Sequence, residues 1–264
     1  KAIIAVNLFG HPAKLHELRK IADENNIYLI EDNAQAILSH ENGIFTGTIG
    51  HIGVFSLNYH KHIHTGEGGM CCTNDDELGQ RLQLIRNHAE AVVEQAKISN
   101  LSNMVGFNLR MTELSAAIGI VQLNNLEKHV QKRINFGNKL SDCLKDFSGI
   151  TTPLVRKNCS HSYYFWTVKY DENIINVNRE TFVKALEAEN FPCSSGYVRP
   201  LYFLPLFKNR IAIGNNNFPF NLSDRKYYKG LCPVAEDLYE NKFLCVQTCG
   251  WNVNNKIIEK LINC

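Results

Sequence analysis

The sequence predicts an α/β fold with a mostly parallel sheet, followed by a smaller α+β domain. Two observations carry this. Through the first 150 residues, short apolar segments alternate with stretches of helical periodicity, as in βαβ units. Near residue 150 the texture changes to an alternating strand, a helix and a turn-rich loop. The expected domains are residues 1–149 and 150–264.

The elements follow in order. "AIIAV" (2–6) reads as a buried strand and "NLFGHP" as a turn. In "AKLHELRKIADENN", Leu15, Leu18, Ile21 and Ala22 fall at helical spacing, which predicts an amphipathic helix. "IYLI" (27–30) is a second strand, ending at Glu31 and Asp32; "IGVFSL" (52–57) is a third and "GMCCTN" (69–74) a fourth. "DDELGQRLQLIRNHAEAV" (75–92) opens with acids, as the helix dipole prefers, and reads as a helix. Residues 96–108 read as a polar loop. A strong helix is expected over 111–130, with Thr112 as its cap and Ala116, Ala117, Ile120 and Leu123 as a small-residue packing face, and a second long helix to about Phe147. Beyond residue 150, "SYYFWTVKY" (162–170) alternates like a half-buried strand, "NRETFVKALEAENF" is a helix, and "IGNNNFPFNLSD" (213–224) is an exposed loop.

The chain has 264 residues, 44% hydrophobic and 20% charged, and a net charge of +2. That charge is too small to argue for nucleic acid or an anionic membrane surface. No apolar run approaches the ~20 residues that span a bilayer. The opening "KAIIAVNLFG" does not read as a signal peptide. Nine cysteines are an odd number without a C-x-x-C pair, so reduced, mostly buried thiols in the cytoplasm are expected rather than a disulfide framework. Lys1 leads straight into a strand pattern with no initiator methionine, so the sequence reads as starting inside a fold, with an N-terminal part missing.

One stretch carries the chemistry. "SLNYHKHIHTGEGG" (56–69) admits three readings. His60, His62 and His64 would share one side of an extended segment and could bind zinc, although Lys61 sits among them; no metal is expected. The glycines offer amides to a phosphate but lack P-loop spacing, and could merely permit a tight turn. Lys61 could be a reactive amine. Asp32 follows its strand at the carboxyl end, where open α/β sheets bind ligands, and Ser56 and Lys61 follow theirs on the same edge if the strands are parallel. An aspartate, a hydroxyl and a lysine in one crevice are the parts of a pyridoxal phosphate site. Alternatively, Asp32 is a helix cap and Lys61 a solvated charge.

"EDNAQA" (31–36), "GVFSLNYHKHIHTGEGGMCCTND" (53–75), "RLQLIRNHAEAVV" (81–93) and "GFNLRMTELSAAIGIVQL" (106–123) together resemble the DegT/DnrJ/EryC/StrS family of sugar aminotransferases. "GYVRPLYFLPLF" (196–207) and "CPVAEDLY" (232–239) resemble its C-terminal motifs. The resemblance implies the type I, aspartate aminotransferase-like fold, pyridoxal 5'-phosphate as cofactor, and a homodimer with two active sites at its interface. It makes Lys61 the Schiff-base lysine and Asp32 the partner of the pyridine nitrogen. Gln35 then lies beside the ring and its 3-hydroxyl, Ser56 binds the phosphate, and Asn108 reaches the phosphate from the partner subunit. The implied reaction moves an amino group from an amino acid, glutamate being the expected donor, to a nucleotide-linked keto-sugar. The amino sugar would serve polysaccharide, glycan or secondary-metabolite synthesis. His161, Arg199 and Tyr202 could contact the sugar or diphosphate; otherwise Tyr202 is core and Arg199 a surface charge.

The chain departs from the family pattern in three places. About a hundred N-terminal residues, with a Ser-Gly-Thr phosphate loop and a ring-stacking aromatic, are not among these 264. Asn33 replaces the alanine of the usual "EDAAQA", and Asn7 stands where a histidine is common. A dehydratase branch of the family carries histidine in place of the lysine, so Lys61 puts this chain on the aminotransferase side. The alternatives are a same-fold dehydratase and a non-catalytic truncated scaffold.

Overall fold

In the computed structural model, which describes residues 1–90, 104–250, 252 and 255–262, the opening apolar segment is strand β1 (Ala2–Val6). The chain divides into two compact units. The first is Lys1–Gly137 with Leu154–Tyr164 and Thr248–Val253; the second is Asn138–Pro153, Phe165–Gln247 and Asn254–Cys264.

In the first unit, β1 is followed by helix α1 (Leu15–Glu24), strand β2 (Tyr28–Asp32), the short hairpin β3 (His40–Glu41) and β4 (Ile44–Phe45), then β5 (Ile52–Ser56) and β6 (Gly69–Cys72). Helices α2 (Asp76–Arg86) and α3 (Glu113–Leu123) come next in sequence, and α4 (Leu126–Leu144) runs from this unit into the second after Gly137. The sheet order is β1-β2-β5-β6; β1, β2 and β5 are parallel and β6 runs antiparallel to β5. The parallel register sets Val6 beside Asp32 and Asp32 beside Val54. The polar residues that follow these strands therefore emerge at one edge.

The apolar pattern of β1 is used on one face only. Ala5 packs with Leu15, Ala22, Leu29 and Ile49, and Ile3 and Leu18 lie against them. Ile4 and Val6, expected inside a buried strand, are 67% and 47% exposed because successive side chains alternate across the sheet. Ile21 of α1 is likewise exposed, on the far side of the helix from Leu15 and Ala22.

Helix α2 stops six residues before the expected end at 92. His88 and Ala89 take left-handed φ of 65° and 59°. The His88 amide donates to Phe107 O at 3.0 Å, so the chain turns to pair with residues 107–109 instead of continuing the helix. Residues 91–103, with the end of that helix and most of the expected loop at 96–108, lie outside the described residues. Thr112 does cap α3, accepting from Ser115 N at 3.1 Å. The expected 111–130 helix is broken at Asn124 and Asn125. The side-chain amide of Asn125 donates to Val121 O at 3.0 Å, competing with the helical ladder.

The second unit contains β7 (Ile150–Thr151), β8 (Phe165–Tyr170), α5 (Glu172–Ile175), α6 (Arg179–Ala188), β9 (Ser194–Ser195), α7 (Pro205–Lys208), α8 (Pro233–Asp237), β10 (Phe243–Gln247) and α9 (Asn255–Ile262). Its sheet, β7-β8-β10-β9, is antiparallel throughout. Trp166, Val168 and Tyr170 alternate into the core from β8, as the sequence pattern predicts. The strand begins at Phe165 rather than 162, because Tyr163 has a left-handed φ of 49° that an extended strand excludes.

The expectation of mostly buried cysteines is corrected. Of the eight described, Cys245 alone is buried; all eight are free thiols. Among the described residues no helix is long and apolar enough to cross a membrane.

Candidate functional site

The carboxyl ends of β2 and β5 open into a small crevice. Asn33, Ala34, Ile37, Phe55, Ser56, Lys61, His62 and Ile63 line it. Each wall follows from the local sequence.

At the end of β2 the two acids of "IED" part company, because neighbouring side chains of a strand face opposite ways. Glu31 is fully buried and accepts from the amides of Gly47 at 2.6 Å, Ile49 at 2.8 Å and Gly50. It organises the loop before β5. Asp32 is half-buried, and its Oδ1 accepts from Ala34 N at 3.1 Å. That turn aims the segment 33–35 along the crevice. Gln35 is fixed by the amide of Phe9, which donates to its Oε1 at 2.8 Å.

After β5 the chain makes a closed loop from Leu57 to Gly68. Leu57 N donates to Gly68 O and Thr65 N to Leu57 O, both at 2.9 Å. The Asn58 amide bridges both carboxylate oxygens of Glu67. Leu57 and Ile63, on either side of the lysine, are buried against Leu126 and Val130 of α4. Gly68 has a φ of +153°, and a Cβ there would meet Thr65 Oγ1 at 2.7 Å, so the closure requires glycine. The glycines of this motif thus serve the turn. The histidines do not alternate along a strand, since 57–68 is loop between β5 and β6. His62 is buried and donates from Nε2 to Ser162 O at 3.0 Å; burial pushes its pKa down to about 4, so it is neutral at pH 7. Among the described residues no group of three or more His, Cys, Asp or Glu is arranged to hold a metal.

Lys61 is half-buried and lines the crevice. Its pKa lies below the ordinary lysine value. Partial burial is the main cause, and the charges of Asp32 and Cys249 act in the other direction. Among the described residues its Nζ has no hydrogen bond or ion pair; it rests 4.5 Å from the centroid of the Tyr164 ring. Ser56 shares the crevice, its Oγ accepting weakly from Asn58 N at 3.3 Å.

Asp32, Ser56 and Lys61 are therefore brought together, with Gln35 fixed just beyond. Asn108 is exposed and forms an isolated antiparallel bridge with Asn87; it does not line the crevice. His161 is buried. It stacks on Tyr163 with centroids 4.0 Å apart and planes 4° apart, and its Nδ1 accepts from Tyr163 N at 2.9 Å. Burial, helped by His11 and His62, lowers its pKa to about 3. Arg199 and Tyr202 belong to the second unit. Arg199 is exposed, and Tyr202 donates its hydroxyl to Glu236 Oε1 at 2.6 Å, which raises the phenol's pKa through burial and that carboxylate.

Sequence reasoning missed Glu31 and Tyr164. Glu31 was legible as the alternate partner of Asp32 on a strand. Tyr164 carried no signal beyond an aromatic in an apolar run.

The description of the DegT/DnrJ/EryC1/StrS aminotransferase family matches residues 1–241. A protein of Methanocaldococcus jannaschii is 29% identical over 225 residues, covering 83% of this chain and 58% of its own length. The GDP-perosamine synthase of Caulobacter vibrioides is 30% identical over 216 residues, covering 78% of this chain and 54% of its own. The chain thus spans less than two thirds of the length of these relatives. Among solved structures, an aminotransferase from Psychrobacter cryohalolentis superposes with a TM-score of 0.82 at 25% identity, over 100% of this chain and 67% of that one. The fold is the type I fold of pyridoxal-phosphate-dependent aminotransferases, as the sequence motifs implied.

Proposed function

The chain belongs to the DegT/DnrJ/EryC1/StrS aminotransferase family, and from that premise we propose that it moves an amino group from glutamate to a nucleotide-linked keto-sugar, using pyridoxal 5'-phosphate. One observation carries the reading: a half-buried lysine of lowered proton affinity shares a crevice with a serine hydroxyl, beside an aspartate at the carboxyl ends of parallel strands.

The residues fit that cofactor. Lys61 supplies an amine with no competing hydrogen bond or ion pair among the described residues. Asp32 supplies an acid held by its own turn, and Ser56 a hydroxyl donor. The group, when bound, supplies an electron sink for the carbon that loses its proton. The chain's own residues do the rest. Lys61 would hold the cofactor covalently and, as a free amine, would take and return the proton at the donor and acceptor carbons. Its lowered pKa raises the share of neutral amine at a given pH, which is the form that accepts a proton. Asp32 would keep a proton on the ring nitrogen, Gln35 would orient the ring, and Ser56 would donate to the phosphate.

We also propose a homodimer in which Asn108 serves the partner's cofactor. α3 supports it: the helix has no buried residue and exposes Leu114, Ile118, Ile120 and Leu123 at 80%, 48%, 63% and 61%. Such a helix calls for a cover, and a two-fold axis would supply the same face from a second copy. His161, Arg199 and Tyr202 remain candidates for substrate contact. The free cysteines suit a cytoplasmic location, and the product would enter polysaccharide, glycan or secondary-metabolite synthesis.

The test is product analysis with pyridoxal phosphate, glutamate and a panel of nucleotide keto-sugars. Transfer gives 2-oxoglutarate and an amino sugar in equal amounts. Loss of water from the sugar without a new amine would instead identify a dehydratase, and no turnover with any sugar would favour a scaffold.

A further inference from the structure

The ring beneath Lys61 has no part in the roles assigned so far. Nζ lies 4.5 Å from the centroid of the Tyr164 ring, well inside the ~6 Å at which an aromatic face attracts a cation. Tyr164 is 4% exposed, and its carbonyl accepts from Thr248 N at 3.2 Å and from Thr248 Oγ1 at 3.5 Å. The rings of His60 and His62 flank it at 6.1 and 6.0 Å between centroids. Lys61 and Tyr164 lie in the same unit. A buried, backbone-pinned ring therefore faces an amine that has no other direct polar partner among the described residues.

We propose that Tyr164 is a positioning residue for Lys61, its ring face holding the ε-ammonium against the crevice wall whenever the amine is not covalently engaged. This deepens the reading of Lys61 as the cofactor lysine, and rests on it: an amine that leaves and returns needs a defined resting place. The ring does the work and the hydroxyl does not, so phenylalanine should serve equally.

The groups around Lys61 fix the sign of the effect. Asp32, at the end of β2, and Cys249 favour its charge. His60 and His62, on its own loop, sit close enough for their charged forms to repel it, and both have lowered pKa values. Arg133 of α4 faces His62 and Cys249 from behind. The ring adds to the Asp32 side. Removing it while keeping an apolar filler lowers the pH at which Lys61 becomes a neutral nucleophile.

The experiment is competitive acylation of the folded protein without added cofactor. The Lys61 peptide is followed by mass spectrometry against pH, with the exposed Lys20 as reference. Tyr164→Phe should leave the midpoint in place. Tyr164→Leu and Tyr164→Met should lower it by about half a unit. An unchanged midpoint in the ring-less variants, or an equal shift in Tyr164→Phe, would overturn the proposal. A second measurement needs no variant: in lysine-labelled wild-type protein the Cε protons of Lys61 should resonate upfield of the other lysines through the ring current, and a random-coil shift would contradict the contact. Borohydride fixation of pyridoxal phosphate to each variant keeps the two readings apart. Fixation at Lys61 with an unmoved midpoint sinks only the role of Tyr164, whereas a moved midpoint without fixation at Lys61 sinks the cofactor assignment.

Discussion

The side chains of Asn7 and Asn33 hydrogen-bond to each other in the core, Nδ2 of Asn7 donating to Oδ1 of Asn33 at 3.0 Å. The two substitutions that the family resemblance singles out, Asn7 and Asn33, are thus one contact. The pair continues at both ends: Asn7 Oδ1 accepts from Ala13 N at 2.8 Å, and Asn33 Nδ2 donates to Thr46 O at 3.2 Å. A chain of amides ties the entry to α1, the loop after β2 and the loop before β5, and Asp32 stands next to its middle. Both residues are essentially unexposed, so their polar atoms have no water to fall back on.

The first prediction follows. Asn33→Ala, although it introduces the residue that the family resemblance implies, leaves the side-chain amide of Asn7 and the carbonyl of Thr46 without these partners. It should cost about 1–3 kcal/mol in denaturant unfolding. A double-mutant cycle with Asn7→Ala should give a coupling of about 1 kcal/mol or more. Additive losses would show that the two amides act independently.

Glu31 and Asp32 should separate stability from chemistry. Glu31→Gln places an NH2 among three backbone donors and should lower stability by roughly 3 kcal/mol. Asp32→Ala removes one turn hydrogen bond and should change stability far less, while cofactor affinity falls. Unfolding curves and cofactor titrations on both variants check this; the reverse pattern would mean that the two acids have exchanged roles.

This contrast marks how much the sequence disclosed. The "IED" motif at a strand end was readable, and the alternation of a strand already implies that one acid goes in and the other out. The parallel pairing of β1 and β2 was likewise readable, from two apolar segments separated by a helical one, whereas β5 follows β2 through the hairpin β3–β4 with no helix between. The end of α2 at Arg86 was not, because it depends on pairing with residues twenty positions away. Tyr164 was hidden for a similar reason: its meeting with Lys61 joins residues about a hundred positions apart, and no local pattern encodes that. The burial of His161 and its stacking on Tyr163 were not legible in "HSYYF" either.

The buried histidines predict a pH dependence of stability. Both His62 and His161 have folded-state pKa values, about 4 and about 3, below the ordinary 6.5. Between those values and 6.5 the unfolded chain binds protons that the folded chain does not. Their contribution is therefore fully present above about pH 6.5 and is lost progressively as pH falls toward 4 and then 3, at about 1.4 kcal/mol per unit and group. Denaturant midpoints at pH 7.5, 6 and 5 should fall in that order. His161→Gln, which keeps an acceptor for Tyr163 N, should flatten the slope; an unaltered slope would place the linkage elsewhere.

The proposed dimer makes a sharper forecast. Lys61→Ala and Asn108→Ala subunits are each expected to be inactive or weak alone. In mixed dimers one site carries both lesions and the other neither if Asn108 acts across the interface, so activity should return toward half of wild type. No recovery in verified mixed dimers would mean that Asn108 works within its own subunit or not at all.

Lys61 is the proposed cofactor lysine. Its most direct test is borohydride reduction of the protein incubated with pyridoxal 5'-phosphate, followed by peptide mass mapping. Visible absorbance before reduction and a single pyridoxyl adduct on the peptide that contains Lys61, absent in Lys61→Ala, are expected. An adduct on another lysine, or none in protein shown to be folded, would contradict it.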